Sequence, residues 1–197
     1  MKNLLKITGI LPICLLIIFA VSSVSSCTKN VKPEDSKEEA LEENETKYED
    51  TDKVKDAEFL VYAAGLNYEQ IELGQLAQQQ SKTQMITDLG KYIEEEHAKF
   101  SSELTGLAAK KDITIPIQNT EDGKNAYKKL DTKTGNEFDR TYSNMVLESQ
   151  RTAILKFEAA AKDSKDADIK AWANASLLNL KIHSERAFNC LNESNKL

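Results

Sequence analysis

Residues 112–134 read DITIPIQNTEDGKNAYKKLDTKT. This connection of roughly 23 residues decides the fold, because long helical patterns stand on both sides of it. It holds Pro116 and Gly123 and room for one short helix around Ala126–Leu130. Upstream, apolar residues recur at steps of three and four over 57–80, through Phe59, Tyr62, Leu66, Leu73 and Leu76, with Glu69 on the same stripe. That is the period of one helical face. Gly65 and Gly74 lower the helix propensity of this stretch but allow close packing. Ser81-Lys82-Thr83-Gln84 reads as a capping box that starts a second helix. Its stripe is Ile86, Leu89, Ile93, His97, Phe100, Leu104 and Leu107, and it stops near Lys110-Lys111. Downstream, Thr134-Gly135-Asn136-Glu137 reads as another box. A third helix follows to about 162, with stripe Phe138, Tyr142, Met145, Ser149, Ala153 and Phe157. Asp163, Ser164 and Asp166 supply the next cap. The fourth helix, about 167–192, carries Ile169, Trp172, Ser176, Leu180, His183, Ala187 and Cys190.

Two helices, one long connection and two more helices describe an all-α four-helix bundle. Up-down-up-down bundles need only short loops, whereas ferritin-like folds use a single long crossover. At about 3.3 Å per extended residue, the connection can traverse a bundle. The expected fold is therefore a ferritin-like four-helix bundle, with the crossover between its second and third helices, over residues 57–197.

Each helix has one polar residue on its inward stripe near mid-length: Glu69, His97, Ser149 and His183. The two histidines are the only ones in the chain. A buried Glu needs a partner, so two readings stand side by side. One is a hydrogen-bonded Glu–His cluster without metal. The other is a mononuclear metal site from Glu69, His97, His183 and Glu148, whose imidazole and carboxylate ligands suit zinc, iron or manganese. A carboxylate-bridged pair of irons requires Glu-x-x-His on two helices. Glu94-Glu95-Glu96-His97 supplies it once, but Leu180 stands three before His183. The cofactor expectation is none, or a single transition-metal ion.

The chain's −6 charge is unevenly placed. Residues 1–26 carry Lys2 and Lys6 and no acid, while residues 27–56 hold six Lys against eleven acids. No basic surface suggests a nucleic-acid partner. Three Cys do not build a disulfide scaffold. Phosphate loops, Ser/His/Asp arrangements and paired metal cysteines are missing from the sequence. No catalytic residue is assigned, and the enzyme question stays open, with a non-enzyme favoured. Residues 7–21 are too short to span a bilayer and suit a signal sequence of 1–26. Val24-Ser25-Ser26-Cys27 resembles a bacterial lipobox, which implies cleavage before Cys27 and its lipidation, with the membrane as partner. Thr28 in place of Asp favours the outer membrane of the cell envelope. Residues 27–56 read as a flexible acidic tether, because they hold too little apolar surface to offset ordering.

The domain resembles an envelope family called domain of unknown function 4142, "putative outer membrane protein". The resemblance rests on Ala63-Ala64-Gly65-Leu66-Asn67-Tyr68-Glu69, on Glu96-His97 for its Asp-His, on Phe138-Asp139-x-x-Tyr142, and on Leu180-x-x-His183. It covers about 55–193 and implies a ferritin-like fold and an envelope location, with no established activity. Where members commonly have Asp-His in the third helix, this chain has Glu148-Ser149. The function expected is non-catalytic binding or a stress-related role; the alternative is a metal-binding or redox protein.

Overall fold

The computed structural model describes residues 35–196. The signal sequence, the lipobox with Cys27 and the first part of the tether lie outside these residues. Six helices follow one another: α1 Ser36–Lys47, α2 Thr51–Gln80, α3 Gln84–Lys111, α4 Glu121–Asp131, α5 Gly135–Asp163 and α6 Ala167–Ser194. Among the described residues there is no strand, and no helix is long and apolar enough to cross a membrane.

Four long helices form two hairpins. Three residues join α2 to α3 and three join α5 to α6, so each pair is antiparallel. The hairpins face one another with α2 against α5 and α3 against α6. On α2 and α5, Phe59 packs edge-on against Phe157 at 4.9 Å, Gln70 meets Gln150, and Ser81 meets Asp139. Residue numbers rise on one helix as they fall on the other, so this pair is antiparallel too. The same holds for α3 and α6, through Glu103 with Trp172, His97 with His183 and Met85 with Cys190. The order of directions is therefore up, down, down, up. The segment from α3 to α5 must run back along the bundle, and α4 within it packs on α2.

Local chemistry sets the ends. Asp50, Thr120 and Asp166 accept backbone N–H bonds in the first turns of α2, α4 and α6, replacing partners a helix start lacks. After α3, Asp112 adopts φ 60°, and the N–H of Ile113 reaches back to the Ala108 carbonyl at 3.0 Å. This motif turns the chain into the crossover and buries Ile113. Two expected capping boxes are not formed: Ser81 Oγ accepts the Thr83 N–H and not that of Gln84, and neither Thr83 nor Thr134, the residues that precede α3 and α5, caps with its side chain. Instead the Ser81 hydroxyl donates to Asp139 Oδ1 at 2.7 Å, and the Thr83 hydroxyl to Oδ2. A carboxylate 56 to 58 residues away holds the α2–α3 turn. Two clusters of buried apolar side chains lie toward the two ends, one around Leu60, Leu104, Phe157 and Ile169, the other around Leu76, Ile86, Phe138 and Tyr142.

The expected tether differs over residues 36–56. Here α1 is folded against the crossover, and α2 begins six residues before the expected boundary. The cause is hydrogen bonding rather than apolar burial. Asn44, 1% exposed, donates from Nδ2 to the Thr114 carbonyl at 2.7 Å and accepts the Thr114 N–H at 2.9 Å. Ser36 donates to the Gln118 carbonyl, and Lys37 pairs with Asp122. The short helix of the crossover is also longer than expected, beginning at Glu121.

Two predictions follow from these contacts. Asn44→Ala leaves the Thr114 groups without that partner, so it should lower stability by about 1–3 kcal/mol and open residues 36–50 to protease. Unchanged urea midpoint and protease resistance would contradict this. At the α2–α3 crossing, a Cβ on Gly74 would meet the Gly90 carbonyl oxygen at 2.6 Å. Backbone cannot yield as a side-chain tip can, so Gly74→Ala should cost about 1–3 kcal/mol despite alanine's better helix propensity; a more stable variant would refute the close approach.

Candidate functional site

Midway between the two apolar clusters lies a layer of polar side chains. His97 on α3 and His183 on α6 are both fully buried, as their inward stripes require. Their rings lie 5.3 Å apart between centroids. His97 Nδ1 is 2.8 Å from Asn67 Oδ1, and His97 Nε2 is 3.0 Å from Gln150 Nε2. The Asn67 oxygen can only accept, so Nδ1 carries the proton. Nε2 then accepts from the Gln150 amide. That same amide also donates to Gln70 Oε1 at 3.3 Å, which fixes its orientation. A doubly protonated His97 would set its Nε2–H against the Gln150 N–H. Burial, and then the neighbouring His183, hold the His97 pKa well below the ordinary value.

His183 is surrounded by rings. Tyr92 and Phe100 lie 5.4 and 6.0 Å from it, and the Arg186 guanidinium lies over the Tyr92 ring, 3.7 Å from its centroid. Neither His183 nitrogen has a hydrogen-bond partner among the described residues. Burial brings its pKa down to about 4, with Glu96 opposing the shift and Arg186 adding to it. Asn67 Nδ2 and Gln150 Oε1 are likewise buried without partners.

Glu69 is in this layer's neighbourhood but not in its centre. Its Oε1 accepts from Ser149 Oγ at 2.9 Å and from Gln70 Nε2 at 3.1 Å. Gln70 and Gln150 thus stand between Glu69 and His97, and no bond joins the carboxylate to either imidazole. Burial raises the Glu69 pKa above the usual carboxylate value. Glu148 is exposed and pairs with Arg151 at 2.9 Å. Glu69, His97, Glu148 and His183 are therefore not gathered as a ligand set. Among the described residues, no group of three or more His, Cys, Asp or Glu could hold a metal ion. Geometry on the helices explains the difference: Glu148 and Ser149 precede the inward position that Gln150 takes.

The other motif residues have structural partners. Asp139 holds the α2–α3 turn, and Phe138 stacks with Tyr142, whose hydroxyl is buried without a partner among the described residues. Glu96 pairs with Lys99. Cys190 is a buried free thiol, and burial pushes its pKa up to about 11, which suits a packed side chain and not a nucleophile. The sequence reading missed Asn67, Gln70 and Gln150. The signal was available: Ser143, Val146, Gln150, Ala153 and Phe157 keep steps of three and four, and all are buried.

A family model described as "Domain of unknown function (DUF4142)" matches residues 41–190. The match reaches into α1 and extends to Cys190 in α6. No curated protein and no solved structure matches the chain.

The buried imidazoles make stability depend on pH with a defined sign. The folded pKa of His183 is about 4 against an ordinary 6.5, so between those values the unfolded chain binds more protons. Stability is complete above about pH 6.5 and falls as pH falls toward 4, by about 3 kcal/mol for this one group. His97 acts in the same direction. Glu69, with its raised pKa, acts in the opposite one. Urea midpoints should fall between pH 7 and pH 5 in the native chain, with a shallower fall in His183→Leu. Equal slopes would mean that His183 is charged in the fold.

Proposed function

This chain belongs to the DUF4142 family, and from that premise we propose that it is a lipid-anchored protein of the cell envelope. Its helical domain, ferritin-like in its up-down-down-up order, acts as a non-catalytic binding module. One observation carries the second half of this reading. Both imidazoles are fully buried, and His97 is bonded to neutral amides on both nitrogens. A general base needs reach to a proton on its substrate, and a metal ligand needs a free nitrogen beside other donors. His97 offers neither, and His183 is walled in by Tyr92, Phe100 and His97. The centre of the bundle thus supports structure, and binding belongs to its surface and clefts.

The anchor is supported by the sequence. Lys2 and Lys6 precede a short apolar run, and Val24-Ser25-Ser26 precede Cys27. Several acyl chains on Cys27 give stable membrane attachment, where one chain is marginal. The outer membrane is the location that Thr28 favours. Cys27→Ala, expressed in a bacterial host that processes lipoproteins, should move the protein from the detergent-extractable membrane fraction to the soluble fraction. Retention of the variant in membranes, in the amount seen for the native chain, would refute the lipid anchor.

A further inference from the structure

A cleft of about 310 Å³ opens where α2, α5 and the start of α4 meet. Glu69, Ser149, Thr152 and Thr120 line it, with Tyr62, Val61 and Leu66 as wall and Lys37 at the rim. Two other carboxylates at its rim already have cations: Asp122 pairs with Lys37 at 2.8 Å, and Glu148 with Arg151 at 2.9 Å. Glu69 has none among the described residues. Both of its hydrogen bonds arrive at Oε1, which leaves Oε2 with open acceptor capacity. A carboxylate this deeply set without a cation is costly.

The hydroxyls beside it are committed in a specific way. Ser149 spends its proton on Glu69, and Thr152 spends its own on the Glu148 carbonyl at 3.0 Å. Their oxygens therefore keep lone pairs able to accept, and both residues line the cleft. The two residues are three apart on α5, on one side of the helix. Together with Glu69 Oε2 they make three acceptors, one of them anionic. An alkylammonium group has three N–H donors and no acceptor. A hard divalent cation instead asks for six or more oxygens. Thr120 is the complement: its oxygen accepts from the Gly123 N–H, so its proton is free to donate. The methyl groups of Val61 and Leu66 suit a carbon skeleton. Its volume of about 310 Å³ is at the small end of ligand pockets.

We propose that this cleft binds a small hydroxylated primary amine, its ammonium held by Glu69, Ser149 and Thr152 and a hydroxyl oxygen accepting from Thr120. The proposal rests on the reading of the bundle as a binding module and is independent of the lipid anchor. Burial of the Glu69 carboxyl, which raises its pKa, fits a group that awaits a cation.

Calorimetric titration of the full chain in mild detergent, with glucosamine as the amine and glucose as its uncharged counterpart, tests it. The expected result is one saturable site for glucosamine and none for glucose. Glu69→Gln should bind glucosamine at least about tenfold more weakly, with a melting temperature no lower than that of the native chain. Thr152→Val, which keeps the helix and removes one acceptor, should weaken binding by a smaller factor and serves if Glu69→Gln does not fold. Lack of saturable glucosamine binding, equal binding of glucose, or native affinity in both variants would overturn the proposal. Such a failure with Cys27-dependent membrane retention intact would remove the ligand and leave the anchor standing.

Discussion

The neutral imidazole of His97 between Asn67 Oδ1 and Gln150 Nε2 is the constraint on which the middle of this bundle depends. It ties α3 to α2 on one side and to α5 on the other. Hydrocarbon packing alone specifies a four-helix core loosely, since apolar side chains of similar volume substitute for one another. Directional bonds in a dry interior do not have that freedom, and a partly satisfied network is expensive. Sliding α3 by one turn would leave His97, Asn67 and Gln150 buried without these partners. The register of three helices is thereby set at one level.

Around that level the rest of the architecture follows. Apolar clusters fill the bundle above and below it. Asp139 closes one end by holding Ser81 and Thr83. At the other end, Phe59, Phe157 and Trp172 pack with tilted and edge-on rings. The crossover returns along α2, and α1 lies against the crossover. Chemistry open to solvent is therefore placed at the side of the layer, where Glu69 sits between the amide chain and the cleft, and not at the histidines.

Much of this was legible from the residues. The period of three and four located α2, α3, α5 and α6 closely, and it placed His97 and His183 on inward faces. The length of residues 112–134 implied a crossover, and the order of helix directions agrees with it. What the period could not show has physical causes. α2 is covered by α3, α5 and α4, so its buried arc is wide, and a single stripe selected Glu69 where Asn67 and Gln70 are the deeper residues. On α5 the stripe through Met145 and Ser149 was one position away from the buried line through Val146 and Gln150. Ser81 reads as the cap of a local box because its partner across the bundle, Asp139, is distant in sequence. From the sequence α1 reads as tether because its attachment through Asn44 is polar, and hydropathy does not register hydrogen bonds to a crossover backbone.

The central claim is that His97 is a neutral Nδ1–H imidazole locked by two amides. Nitrogen-15 NMR of the imidazole rings, recorded from pH 7 to pH 5, reads this state directly. A protonated Nδ1 and an unprotonated, hydrogen-bond-accepting Nε2 are expected for His97, with shifts that stay constant across that range. An Nε2–H tautomer, or an imidazolium appearing above pH 5 in the folded protein, would contradict it.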